Sequence, residues 1–148
     1  MLLRLVSPRV HAYLDDGVVL LYLMGSFIVG LRERAMAIAL MGAVIHFFIT
    51  RFTNYPAGTV RLLSFRTHGV IELLEGLLVL GATWVLLPGH APGKHLAFLT
   101  FMGVLQLLAF ALSDYRWPLA PVGGNTSPEG SGEASEVPSE RRSHRADG

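Results

Sequence analysis

The chain has 148 residues, 51% of them hydrophobic, with a mean hydropathy of +0.47 and no cysteine. That length allows one domain, the oiliness is too high for an ordinary soluble one, and the missing cysteines exclude disulfides and cysteine metal sites. Residues 1–120 carry nine basic and six acidic residues, a net +3, which is too little positive charge for a nucleic-acid partner.

In chain order, Met1 to Val10 places Arg4 and Arg9 around a few leucines. The longer apolar run begins only after Asp15 and Asp16, and no small-x-small site ends it, so a cleavable signal peptide is not expected. The first span is expected over about residues 10–31. Its uncharged part, Gly17 to Leu31, is about 22 Å long as a helix against about 30 Å of hydrocarbon, which puts both aspartates at or inside the boundary. Arg32-Glu33-Arg34 makes a charged turn, and 35–52 is the second span, apolar except for His46, Thr50 and Arg51. Thr53-Asn54-Tyr55-Pro56-Ala57-Gly58 breaks the helix with turn chemistry. Val60 to Phe65, bracketed by Arg61 and Arg66, suits a segment lying along the headgroups.

The third span, 68–87, opens with His68, Glu72 and Glu75 at i, i+4 and i+7, one face of a helix, and is then apolar or small as far as Pro88. A Pro/Gly turn flanked by His90 and His95, both expected to be solvated, leads to the fourth span, 95–113. The domain thus covers residues 1–118. The tail, 119–148, is rich in Gly, Ser, Pro, Glu and Arg and is expected to be a disordered cytoplasmic segment. None of the spans has the charged face that a soluble bundle needs, so the fold class is an all-α membrane protein with four transmembrane helices.

Arg4, Arg9, Arg51, Arg61, Arg66 and Arg116 flank one side and Arg32, Arg34 and Lys94 the other, which predicts a multi-pass protein of the cell inner membrane with both termini cytoplasmic. Tyr13, Tyr55, Tyr115 and Trp117 then fall at the inner interface. Eleven arginines against one lysine hints at a GC-rich bacterial genome. Gly25, Gly30, Gly76 and Gly81 are expected to permit close helix approach.

The chain also repeats. His11 over His68 aligns Asp15 with Glu72, while three further residues of offset align Thr53-Asn54-Tyr55 with Ser113-Asp114-Tyr115 and His46 with Gln106. The simplest account is two copies of a helical hairpin, parallel repeats about an axis along the membrane normal. His11-Ala-Tyr-Leu-Asp15, His68-Gly-Val-Ile-Glu72, Glu72-Leu-Leu-Glu-Gly76 and Thr53-x-Tyr55-x-x-Gly58 resemble the SPW-repeat family of small bacterial integral membrane proteins over about residues 10–117. Gly25-Ser26-Phe27 and Ala82-Thr83-Trp84 stand where that family has Ser-Pro-Trp. The resemblance implies membrane residence and a repeated hairpin, and it carries over no established activity.

Depth registry defines the candidate site. Asp15, His46, Glu72 and Gln106 each fall about 8–12 Å inward from the cytoplasmic boundary, with Glu75 a turn deeper and His11 and His68 nearer the helix starts. Ionised groups facing lipid are costly, so this polar cluster is expected to face the bundle interior. Three chemistries fit it. The cluster can fix hairpin packing, with Asp15 paired to His11 or Arg9 and Glu72 to His68 or Arg66. It can relay protons or small ions through Glu75, Glu72 and His46. It can bind a divalent metal through His11, Asp15, His46, His68 and Glu72, a pattern less specific than His-Glu-x-x-His, which is absent.

No phosphate loop, nucleophile elbow or dinucleotide fingerprint occurs, so neither an enzyme nor a cofactor is expected. The sequence reads as a non-enzymatic membrane module or accessory subunit, the alternative being a small permease or proton-coupled carrier. Expected partners are the lipid bilayer and either a second copy or another membrane protein. Four short spans enclose little interior, so a transport role would need oligomerisation.

Overall fold

In the computed structural model the described residues are 5–89 and 91–115; the expected tail at 119–148 lies outside them, as do Arg4, His90, Arg116 and Trp117. Four helices follow one another in up-down order: α1 (Pro8–Val29), α2 (Glu33–Phe52), α3 (Phe65–Leu86) and α4 (Gly93–Leu112). All four are long and apolar enough to cross a membrane, and there is no strand among the described residues.

For α1 and α3, caps rather than hydropathy set the helix starts. Ser7 is extended, its Oγ accepts the Val10 N–H at 3.4 Å, and Pro8 occupies the first turn, where its missing N–H costs nothing. Ser64 repeats the device, accepting the Thr67 N–H at 3.0 Å. The two helices therefore begin at Pro8 and Phe65, ahead of the expected Val10 and His68. At the other end of α1, Gly30 takes the left-handed conformation (φ 70°) that lets its N–H and that of Leu31 bond back to Phe27 and Ser26 carbonyls. It caps the helix and has no part in helix approach. Gly81 likewise faces open space.

The bundle is apolar outside and polar inside. Ile28, Val85, Phe27 and Leu78 are 85%, 77%, 68% and 59% exposed, while Asp15 is 1% and Glu72 0% exposed. Lipid, and not water, tolerates that distribution over four helices. The helices form a ring in which α1 packs on α2, α2 on α3, α3 on α4 and α4 on α1. Backbones meet where α3 crosses α4: a Cβ on Gly76 would stand 3.2 Å from the Gly103 carbonyl oxygen, and one on Gly103 3.1 Å from that of Gly76. Val18, Tyr22, Leu99 and Met102 fill the middle of the bundle, and Tyr55, Phe65 and Tyr115 close one end.

That end is latched by backbone bonds. Leu62 and Leu63 donate to the Phe52 carbonyl at 2.8 Å each, and Asn54 donates to Leu63 at 2.8 Å. Leu5 and Val6 donate to the Leu112 carbonyl at 2.8 and 3.0 Å, and Asp114 donates to Val6 at 3.1 Å. These are the same bonds 57 and 60 residues apart, the two offsets by which the sequence aligns with itself. They bring residue 6 beside residue 113, so both ends of the described chain leave the bundle at one face. In the segment expected to lie along the headgroups, Val60 and Leu62 are exposed, the chain is tied to the end of α2 by these bonds, and Phe65 belongs to the first turn of α3 and is 1% exposed.

Candidate functional site

All seven side chains of the expected polar cluster are buried, none more than 4% exposed, and they converge in one layer. His11 and Asp15 come from α1, His46 from α2, His68, Glu72 and Glu75 from α3, and Gln106 from α4. The i, i+4 spacing on α1 brings His11 Nε2 to 3.2 Å from Asp15 Oδ1. The corresponding pair on α3 is not formed. Asp15 is instead shared across the bundle, with His68 Nε2 at 3.3 Å and His46 Nε2 at 3.5 Å, while Glu72 lies 3.6 Å from His11 Nε2. Each histidine thus faces the other hairpin's acid, because α1 and α3 stand diagonally across the ring with side chains that meet at its centre. The arginines expected as alternative partners have no part in these pairs; Arg51 bridges Asp16, on the surface.

The outer nitrogens are held by hydroxyls. Ser113 Oγ donates to the Ala109 carbonyl at 2.6 Å, which uses its only proton, so its 2.6 Å contact with His11 Nδ1 must be a bond donated by the ring. Thr53 does the same on the other side, donating to the Ile49 carbonyl at 2.5 Å and accepting from His68 Nδ1 at 3.0 Å. His46 Nδ1 is hydrogen-bonded to Glu75 Oε2 at 3.0 Å. Gln106 Nε2 lies 3.3 Å from the same ring nitrogen, and Gln106 Oε1 accepts from Tyr22 at 2.9 Å. The carboxylates have phenol donors from the closing loops: Tyr55 donates to Asp15, and Tyr115 donates to Glu72 at 2.6 Å. Burial first, and then the adjacent carboxylate, pushes both phenols above their usual range, which keeps them protonated as donors.

Two sequence expectations fail here. Tyr55 and Tyr115 are not interfacial anchors but buried residues, 2% and 8% exposed, because the latched loops fold back over the layer. His95 is not solvated: it is 4% exposed, and Nε2 donates to the Gly30 carbonyl at 3.1 Å, joining the end of α1 to the start of α4. The loop that carries Thr53 and Tyr55 also explains Gly58, since a Cβ there would come within 1.6 Å of the Thr53 carbonyl oxygen. The residues the sequence reading missed are Tyr22, Thr53, Tyr55, Ser113 and Tyr115. A signal existed, because Thr53-Tyr55 and Ser113-Tyr115 align at 60 residues, but alignment alone does not assign them to histidines and acids.

Three buried polar atoms in the layer, His46 Nε2, Glu72 Oε1 and Glu75 Oε1, have no hydrogen-bond partner among the described residues. The ligand atoms of His11, Asp15 and His68 lie within 4.8 Å of one another. Chemically the layer can hold helices together, and it can hold a cation. Compared with protein-family models, curated proteins and solved structures, the chain matches none. The fold and the layer define a four-helix membrane protein with a histidine–carboxylate core.

Proposed function

We propose that the protein is a non-enzymatic module of the cell inner membrane, an accessory or assembly subunit, in which the polar layer locks two duplicated helical hairpins into one body. In this reading both termini face the cytoplasm, and the chain is kin to the SPW-repeat proteins.

The observation that carries it is the direction of the bonds. His11 to Ser113, His68 to Asp15, His46 to Glu75 and Tyr22 to Gln106 all run between the α1–α2 hairpin and the α3–α4 hairpin. In lipid, where apolar burial gives helices little reason to associate, such bonds contribute about 0.6 kcal/mol each and up to about 1.7. A double-mutant cycle of His46→Gln and Glu75→Gln, read by unfolding in mixed micelles, is expected to give a positive coupling of about 1 kcal/mol. Reconstituted vesicles are expected to show no proton flux. A flux that Glu72→Gln or Glu75→Gln abolishes would replace this reading with the small permease or proton-coupled carrier.

A further inference from the structure

We propose that His11, His68 and Asp15 form a binding site for one divalent first-row transition-metal ion, with His46 and Glu72 beside it. The locking role stands whether or not the ion binds, so this goes beyond it.

The orientation of the three rings is the first ground. His11 commits Nδ1 to Ser113 and His68 commits Nδ1 to Thr53, so both turn Nε2 inward, while His46 meets Glu75 and Gln106 through Nδ1 and faces Asp15 through Nε2. Metal-binding histidines are held this way, with the non-ligating N–H donated to a hydroxyl, carbonyl or carboxylate that fixes the tautomer and the ring plane. A purely packing histidine has no need to aim the same nitrogen at the same carboxylate three times over.

Spacing is the second. His11 Nε2 and His68 Nε2 stand 3.2 Å apart, His11 Nε2 is 3.2 Å from Asp15 Oδ1, and His68 Nε2 is 3.3 Å from Asp15 Oδ2. Ligands about 2.0–2.1 Å from a tetrahedral ion are roughly 3.3 Å from one another, the length of these edges, of which the two on Asp15 end on its two different carboxylate oxygens. With both Nδ1 positions protonated, the two Nε2 atoms of the neutral rings meet lone pair to lone pair. A proton can relieve one such contact; a metal ion placed among them relieves all three edges at once.

The unpartnered atoms are the third. His46 Nε2 is fully buried, has no hydrogen-bond partner among the described residues and lies 3.5 Å from Asp15 Oδ1. Glu72 Oε1 is equally buried and unpartnered, although Oε2 is held by Tyr115. An imidazole and carboxylate set without sulfur suits zinc, ferrous iron, manganese or nickel over calcium, magnesium or cuprous copper.

Zinc alone is the probe, because a nitrogen and oxygen site of this kind holds it more tightly than iron or manganese. Full-length protein without a histidine tag, in detergent and stripped with a chelator, is expected to take up one zinc per chain at micromolar concentration or below. His68→Asn keeps a side-chain N–H for Thr53 while deleting Nε2, and is expected to lower zinc affinity by at least about 100-fold. His95→Asn, at the far end of the bundle, is expected to leave it unchanged. Folded wild type that takes up no zinc overturns the proposal, as does a folded His68→Asn that binds like the wild type. Should His68→Asn not fold, zinc-edge X-ray absorption on the wild-type complex decides: two or more imidazoles in the first shell support the site, and one or none overturns it.

Discussion

Tyr22 of α1 donates its phenolic proton to Gln106 Oε1 of α4 at 2.9 Å, while its ring lies against Gly42 of α2, where a Cβ would come within 2.8 Å of it. One side chain thus joins three helices, by shape on one side and by a hydrogen bond on the other. Tyr22→Phe keeps the ring and strands a fully buried acceptor. The expected cost is about 1–2 kcal/mol in unfolding free energy, measured by denaturation in mixed micelles. Gly42→Ala is expected to cost about 1–3 kcal/mol by overpacking, since the ring it would meet is fully buried. Unchanged unfolding in both variants would remove Tyr22 from the interhelical contacts.

Adjacent acids on α1 should behave in opposite ways. Asp15 is 1% exposed and touches three histidines and Tyr55, whereas Asp16 is bridged to Arg51 with both side chains partly in solvent, 46% and 29% exposed. A partly exposed pair contributes up to about 1 kcal/mol, so Asp16→Asn should be close to silent. Removing one member of a buried charged cluster costs about 3–5 kcal/mol, and Asp15→Asn should either lower stability by that much or prevent recovery of folded protein. Equal effects at the two positions would contradict the burial difference.

The layer was legible in the sequence because hydrocarbon leaves ionisable side chains one place to go. Helical spacing put His11 with Asp15 and His68 with Glu72 and Glu75 on common faces, and depth put His46 and Gln106 at the same level. The pairing was legible only in part: His11 does meet Asp15, but His68 does not meet Glu72. Spacing favours the i, i+4 partner within a helix, yet Asp15 is reached by histidines from three helices, a consequence of ring geometry that no single helix encodes. The loops were misread for a related reason. Their tyrosines look interfacial by hydropathy, but the backbone latches of Leu63 with Asn54 and of Val6 with Asp114 hold those loops over the layer.

The two phenols give an alkaline signature. Folding holds protons on Tyr55 and Tyr115 that the unfolded chain releases near pH 10. Their contribution is therefore complete below about pH 10 and is lost as pH rises beyond it, by up to about 1.4 kcal/mol per pH unit for each phenol. Wild-type stability followed from about pH 9 to 11 should fall more steeply than that of Tyr55→Phe/Tyr115→Phe, even though the double variant is the less stable at pH 8. Parallel curves would mean that the phenols ionise as freely in the folded protein as outside it.

Orientation in the membrane can be read with cysteines because the chain has none of its own. Thr59 is exposed on the loop between α2 and α3, and Pro88 is exposed at the opposite end of the bundle, just beyond α3. The arginine-rich end, with Arg51, Arg61 and Arg66, is the one that contains Thr59. Basic flanks stay on the cytoplasmic side, since moving them across the bilayer opposes the charge bias that sets topology. A membrane-impermeant maleimide should thus label Pro88→Cys in intact cells and Thr59→Cys only after lysis. The reverse pattern would place the histidine–carboxylate layer nearer the outer face, and labelling of both positions in intact cells would mean that the helices do not span.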